Sequence, residues 1–370
     1  MVRALRRAMN LHRSLGLLLL LSACVASTAA CSTSEDSAPS SEDSAPADEQ
    51  DEQEVQSGVT KLATKLQDPD SLTSNGDSIY FITTYGYATQ EFAQYNHDIW
   101  VKTGSGRAKR LYKGLYGAGW GLVATKNGIY EINEGYASVI RYPLDGSKKD
   151  GDSLYHHTYG HEEMPEVGIR QLVGDDDGIV IALRNEDDDT TPGAVIALTP
   201  AGKNEKKLGE VGGGATALKL DSGKVYVGTS KGEIFTVARD ASGSMTKLAT
   251  GEGSVSDIVV AGEDVFFSSD KGIFVKRKGG GAQAEKLASE QSYSLSVVRD
   301  QLLFGQYKKG LMAMPLAGGA SRLVLKAESP SSTLSANGFL WMTDRAYGRC
   351  TQTDEGQACA FDGAAYRIKF

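Results

Sequence analysis

The sequence holds only four cysteines, Cys24, Cys31, Cys350 and Cys359, nine prolines, and no lysine or arginine between positions 32 and 60. Four cysteines are too few for a disulfide-built mini-fold. No apolar run reaches the roughly 20 residues that a helix needs to cross hydrocarbon, which argues against a resident membrane-spanning helix. Neither a P-loop, an HExxH pair nor a G-x-G-x-x-G Rossmann fingerprint occurs. A formal net charge of −8 speaks against a nucleic-acid partner, because such binding needs a basic surface that displaces counterions.

What the chain has in quantity is glycine, 43 residues, with 16 tyrosines and abundant valine and isoleucine. That composition suits many short strands joined by tight turns, and an all-β fold is expected. The acid is unevenly spread. Residues 32–60 carry nine Asp and Glu, so the remainder is close to neutral.

The first residues read as an export address. Arg3, Arg6, Arg7 and Arg13 surround and precede the apolar run from Leu15 to Leu21, the charged and apolar regions of a secretion signal. Leu21-Ser22-Ala23-Cys24 resembles the bacterial lipobox, which implies cleavage before Cys24 and acylation of its thiol and new amino terminus. Several acyl chains anchor stably where one binds only marginally. Ordinary cleavage near Ala29-Ala30 is the alternative, and Cys31 offers a weaker second lipobox. Val25 after the cysteine resembles the outer-membrane sorting pattern of enteric lipoproteins. Residues 1–23 are thus expected to be a signal peptide and 24–57 a linker. The linker repeats Ser34-Glu35-Asp36-Ser37-Ala38-Pro39 as Ser41-Glu42-Asp43-Ser44-Ala45-Pro46, and its few apolar residues cannot offset the entropy of ordering.

From residue 58 to 370 one unit recurs. Its strongest marks are Ile79-Tyr80-Phe81, Ile129-Tyr130-Glu131, Ile179-Val180-Ile181, Val225-Tyr226-Val227, Val265-Phe266-Phe267, Leu302-Leu303-Phe304 and Phe339-Leu340-Trp341. They are 50, 50, 46, 40, 37 and 37 residues apart, and turn pairs such as Asn75-Gly76, Ser222-Gly223 and Asn337-Gly338 stand before them. Seven such units predict a seven-bladed β-propeller. Thr60-Lys61-Leu62-Ala63-Thr64 recurs as Thr246-Lys247-Leu248-Ala249-Thr250, each starting 19 residues before the next strong strand. The second copy reads as the outer strand of blade 4, so the first should be an outer strand too. Residues 365–370 align with third strands, which leaves blade 7 without an outer strand of its own. The N-terminal strand is expected to complete it and close the ring, removing the bare edges of an open solenoid.

Residues 220–234 resemble the repeat of PQQ-type propellers, and Leu311-Met312-Ala313-Met314-Pro315-Leu316-Ala317-Gly318-Gly319 is similar to repeats of TolB-like and YWTD-like bacterial propellers. The resemblance implies the architecture. PQQ-type propellers usually have eight blades and a docking tryptophan that most repeats lack here, so no cofactor is carried over.

In such a fold the second-to-third strand loops and the connections between blades share one face. Blades 4 to 6 are minimal there. Blade 1 carries Tyr85, Tyr87, Phe92, Tyr95 and His97; the blade 2 to 3 connection carries Tyr155, His156, His157 and His161; blade 3 carries Asn185–Pro192 and blade 7 carries Thr343–Gly363. Blades 7, 1, 2 and 3 adjoin in a closed ring, so these insertions should form one aromatic rim that binds a partner; packing against the scaffold is the alternative for each residue. His156, His157, His161 and Glu162 would suit zinc chemically but match no ligand spacing. Asp175–Asp177 and Asp187–Asp189 lack calcium-loop alternation, and no metal or cofactor is expected. Cys350 and Cys359 are expected to pair after export.

The function expected is a non-catalytic, monomeric, membrane-anchored binding or scaffolding module. Its partner would be an envelope protein or cell-wall component, at the outer membrane of a Gram-negative bacterium. The alternative is a lactonase-like hydrolase or lyase at the channel mouth. First-strand segments such as Leu218–Leu220, Ile258–Val260 and Leu295–Val298, read as channel-facing and apolar, favour binding.

Overall fold

Ser222-Gly223 turns with successive φ angles of 48° and 75°, and Asn337-Gly338 with 56° and 76°. Two positive φ values match the twist of a two-residue hairpin, which is why these pairs punctuate the repeat. The computed structural model describes residues 58–88, 93–117, 119–133, 138–148, 150–156, 167–185, 192–353 and 356–370. Cys24, Cys31 and residues 1–57 as a whole, with Phe92, His157, His161, Glu162 and Asp187–Asp189, lie outside the described residues.

The first described strand, β1 (Val59–Leu66), precedes blade 1, which comprises β2 (Pro69–Asn75), β3 (Ser78–Ala88), β4 (Ala93–Thr103) and β5 (Lys109–Tyr116). Blade 2 comprises β6 (Gly119–Thr125), β7 (Gly128–Asn133), β8 (Ser138–Tyr142) and β9 (Asp152–His156); blade 3, β10 (Val167–Asp175), β11 (Gly178–Asn185), β12 (Gly193–Leu198) and β13 (Lys206–Val211). Blade 4 follows as β14 (Ala215–Asp221), β15 (Lys224–Thr229), β16 (Glu233–Ala238) and β17 (Thr246–Thr250), and blade 5 as β18 (Val255–Ala261), β19 (Asp264–Ser269), β20 (Gly272–Lys276) and β21 (Glu285–Ala288). Blade 6 is β22 (Leu295–Val298), β23 (Gln301–Gln306), β24 (Gly310–Pro315) and β25 (Arg322–Leu325). Blade 7 holds β26 (Pro330–Ala336) and β27 (Phe339–Asp344), then an inserted hairpin, β28 (Tyr347–Thr353) with β29 (Gly356–Phe361), before β30 (Gly363–Lys369).

Each of these is a four-stranded antiparallel sheet, and that of blade 7 runs β1-β30-β27-β26. The chain is a seven-bladed β-propeller whose ring is closed by its N-terminal strand, as the repeated pentapeptide predicts. The two copies of that pentapeptide do the same work. Lys61 opposes Tyr366 and Lys247 opposes Phe235, with a register shift one residue later in both, and the ammonium groups stand 5.7 Å and 5.8 Å from the facing ring centroids.

The core is divided among seven seams. Ile79, Phe81, Trp341 and Leu62 fill the seam between blades 7 and 1, and Ile99, Tyr112, Leu122 and Ile129 that between blades 1 and 2. Comparable clusters occupy the other five. Second strands are buried on both faces by their neighbours, all six residues of β7 included, which explains their unbroken apolar runs. At about 1.5–3 kcal/mol for each large apolar side chain fully buried, no blade keeps its core without the next.

Candidate binding face

In every blade the second-to-third strand connection and the connection to the next blade lie at one face; the other two turns lie at the opposite, plain face. At the first face the insertion of blade 1 is built from prolonged strands rather than from a loop. The β3–β4 ladder continues through Thr83↔Asp98, Thr84↔His97 and Tyr85↔Asn96 to Ala88↔Ala93, as suits a run rich in Thr and Tyr.

That extension has a polar interior. Asp98 accepts bonds from the Tyr85 hydroxyl (3.0 Å) and the Gly114 N–H (2.8 Å), and Arg110 lies 3.5 Å from its other oxygen. Tyr85 is half-buried and tied to the scaffold, and burial, then the Asp98 charge, raises its pKa. The rim reading holds for Tyr85 only in part.

His97 is a correction. It is 0% exposed, so it offers no contact to a partner. Its Nδ1 lies 2.8 Å from the Gly117 carbonyl and its Nε2 2.9 Å from Glu131 Oε1, a side chain equally sealed. Both ring nitrogens therefore face acceptors, and only the imidazolium can donate to both. Burial alone would lower its pKa; the Glu131 charge and hydrogen bond, the Gly117 carbonyl and Asp98 outweigh that and hold it above its ordinary value. A Cβ at Gly119 would stand 2.9 Å from the imidazole Cδ2, so only glycine lets the incoming strand pass the ring. Asn133 completes the arrangement, its Nδ2 donating to the Tyr116 carbonyl at 2.8 Å.

Of the other rim candidates, Tyr155 is half-buried and packs on the core between blades 2 and 3, whereas His156 is exposed at the end of β9. Tyr87 pairs with Gln94 and Tyr95 with Gly86 in the ladder. Cys350 and Cys359 stand directly opposite each other in the β28–β29 hairpin. Arg345 braces its base, 2.9 Å from Asp68 and also bonded to Asp70. Asp175 and Asp176, considered for calcium, serve the plain face: Asp176 caps the Lys126 N–H at 2.9 Å and Asp175 pairs with Arg239. Among the described residues no group of three His, Cys, Asp or Glu is placed to hold a metal ion.

The sequence reading missed three residues on this face. Tyr116, Tyr293 and Tyr307 are 59%, 59% and 58% exposed, three of the four exposed large apolar side chains among the described residues. Tyr293 lies in the connection between blades 5 and 6 and Tyr307 in the tight turn of blade 6, so short loops carry them. Beside Tyr307 a cavity of about 500 Å³ is lined by Lys308, Lys326, Glu328 and Asp344.

First strands also depart from expectation. Ile258 packs into the seam with blade 4 and Val259 into that with blade 6, so their apolar side chains fill seams rather than the channel. Small polar groups stitch neighbouring first strands instead: Ser71 Oγ accepts from Gly121 N–H, Ser332 Oγ from Leu72 N–H, and Ser294 Oγ from Thr333 N–H. Asp257 has its pKa pushed up to about 6 by burial. Its oxygens accept the Leu295 and Ile258 N–H groups at 2.7 Å and 2.8 Å, so it is occupied as a strut between blades 5 and 6.

No protein-family profile matches the sequence, and no curated protein matches it. Solved structures do. The WD40 β-propeller domain of Doa1 aligns with a TM-score of 0.57 at 12% identity, covering 85% of this chain and 97% of that one. BamB from Moraxella catarrhalis gives 0.50 at 11% identity over 84% and 98%, and YCF48 bound to D1 peptide gives 0.53 at 9% over 84% and 94%. At such identities the likeness is one of fold.

Proposed function

We propose that the chain is an exported, lipid-anchored binding module: a signal peptide over 1–23, an acylated Cys24, a linker over 24–57, and a propeller that recruits an envelope protein or cell-wall component to the outer membrane. The observation that carries the reading is the polarity of the disc. Exposed Tyr116, Tyr293 and Tyr307 share one face with the prolonged β3–β4 ladder and the β28–β29 hairpin, and tyrosine gives large contact area at small entropic cost. β1 begins at the plain face, opposite the tyrosines, where Lys369 N–H donates to the Gly58 carbonyl at 2.8 Å. A protein partner is favoured; among the structural neighbours, YCF48 is bound to a peptide. Cys350 and Cys359, placed as ladder partners, are within disulfide reach by backbone spacing and would stiffen the hairpin.

The test is co-isolation of the acylated protein with its partner from membranes. Substituting Tyr116, Tyr293 and Tyr307 together by Ser should abolish recovery of the partner and leave the thermal transition unchanged. Undiminished recovery, or turnover of a small molecule at the channel mouth, would overturn the reading.

A further inference from the structure

The plain face is electrically lopsided. On blades 2 to 5 many of its cations are matched, among them Lys126 with Asp176 at 3.3 Å, Arg141 with Asp152 at 3.0 Å and Arg277 with Asp264 at 2.9 Å, while Lys203, Lys224 and Lys276 have no carboxylate partner among the described residues. On blades 6, 7 and 1 most are not. Lys102, Arg107, Lys109, Arg367 and Lys369 have no carboxylate partner among the described residues, and neither does Arg322.

Several of these are held in place by neutral groups, which fixes the charge without cancelling it. Arg367 stacks 4.8 Å from the Phe339 ring centroid and lies 3.5 Å from Thr60 Oγ1. Arg322 donates to Gln301 Oε1 at 2.9 Å. Lys102 is buried and donates to the Gly104 carbonyl; burial, then the nearby Arg367 charge, lowers its pKa. Arg107 and Lys109 flank Ala108, which packs at the seam of blades 7 and 1. The acids of the sector, Asp77 and Asp300, are two against six unmatched cations, of which Lys102 is buried. In a domain close to neutral overall, this is a concentrated positive field.

Gly58, where the chain enters the domain, borders the same sector. We infer that the plain face of blades 6, 7 and 1 rests on an anionic membrane surface, its cations meeting lipid phosphate headgroups. Each Lys or Arg near such a surface gains about 1 kcal/mol, and salt screens it within a Debye length of about 10 Å at 0.1 M. The inference extends the anchored reading above: the anchor sets distance, and this sector sets orientation, turning the tyrosine face away from the bilayer.

The experiment uses the full acylated chain in vesicles of phosphatidylcholine alone or mixed with phosphatidylglycerol, with amide hydrogen exchange as readout. Exchange over 103–109 and 367–369 should slow about fivefold on the anionic vesicles, the Boltzmann factor of one such cation. It should be unchanged on the neutral ones and return on adding salt. Substituting the exposed Arg107, Lys109 and Lys369 by Gln should remove the slowing. Equal exchange on both vesicles, or slowing by inorganic phosphate on neutral vesicles, overturns the inference. Flotation with both vesicles but equal exchange removes the sector and keeps the anchor. Flotation with anionic vesicles alone, with slowed exchange there, removes the anchor and supports the sector.

Discussion

Nε2 of His97 lies 2.9 Å from Oε1 of Glu131 across the seam of blades 1 and 2, both side chains 0% exposed. In the other six blades the position of Glu131 is taken by Phe81, Ile181, Val227, Phe267, Phe304 and Trp341. A buried ion pair contributes little net stability against apolar packing, since desolvation offsets the attraction. What it gains is direction: His97 Nδ1 and Asn133 fix the Gly117 and Tyr116 carbonyls, and with them the strand end that presents the exposed Tyr116.

Removing one partner strands the other charge. Glu131→Gln alone should therefore cost about 3–5 kcal/mol, whereas Glu131→Ile with His97→Leu, which copies the other seams, should recover most of it. Denaturant midpoints measure both. If the double variant is as weak as the single one, the pair is stabilising in its own right and the argument from the other blades fails.

The pH dependence has a definite sign. The folded-state pKa of His97 is raised, so its contribution is complete below the unfolded value near 6.5 and is lost as pH rises through the folded value. The thermal midpoint of the wild type should fall on the alkaline side relative to His97→Gln. A wild-type midpoint that instead falls toward acid relative to the variant would show the imidazole to be neutral when buried.

Asp257 behaves in the same sense at lower pH. Its pKa of about 6 exceeds the unfolded value, so its share of stability is present below about 4 and is lost as pH rises through about 6. Carboxyl carbon shifts in a titration followed by NMR should give a midpoint near 6. A midpoint at the ordinary carboxylate value would mean that the two backbone donors dominate over burial.

The closing strand carries its own consequence. Leu62 and Leu66 are buried between blades 7 and 1, and truncating either to Ala should cost about 2–5 kcal/mol. Hydrogen exchange should rise first in β30 and β1, the pair that latches the ring. Faster exchange confined to blade 4 would contradict that order.

The fold was largely legible because each blade repeats its code: an apolar strand buried on both sides and a turn with positive φ. The duplicated pentapeptide even disclosed the closure, since Lys61 and Lys247 meet rings in the same register. The face was legible only in outline. Long insertions drew attention to His97, yet alternation along β4 turns it inward beside Ile99. The exposed Tyr293 and Tyr307 sit on short connections that loop length gave no reason to single out. A glutamate in an otherwise apolar position, Glu131, was the one sequence signal that a buried partner had to exist.

The central claim, that one face of the disc binds and the other does not, is tested most directly by site-specific photo-crosslinking in intact cells. A crosslinker placed at Tyr116, Tyr293 or Tyr307 should capture the same partner, and one placed at Asn204 or Ser242 on the plain face should capture none of it. Capture of that partner from the plain-face positions, with silence at the three tyrosines, would contradict the account.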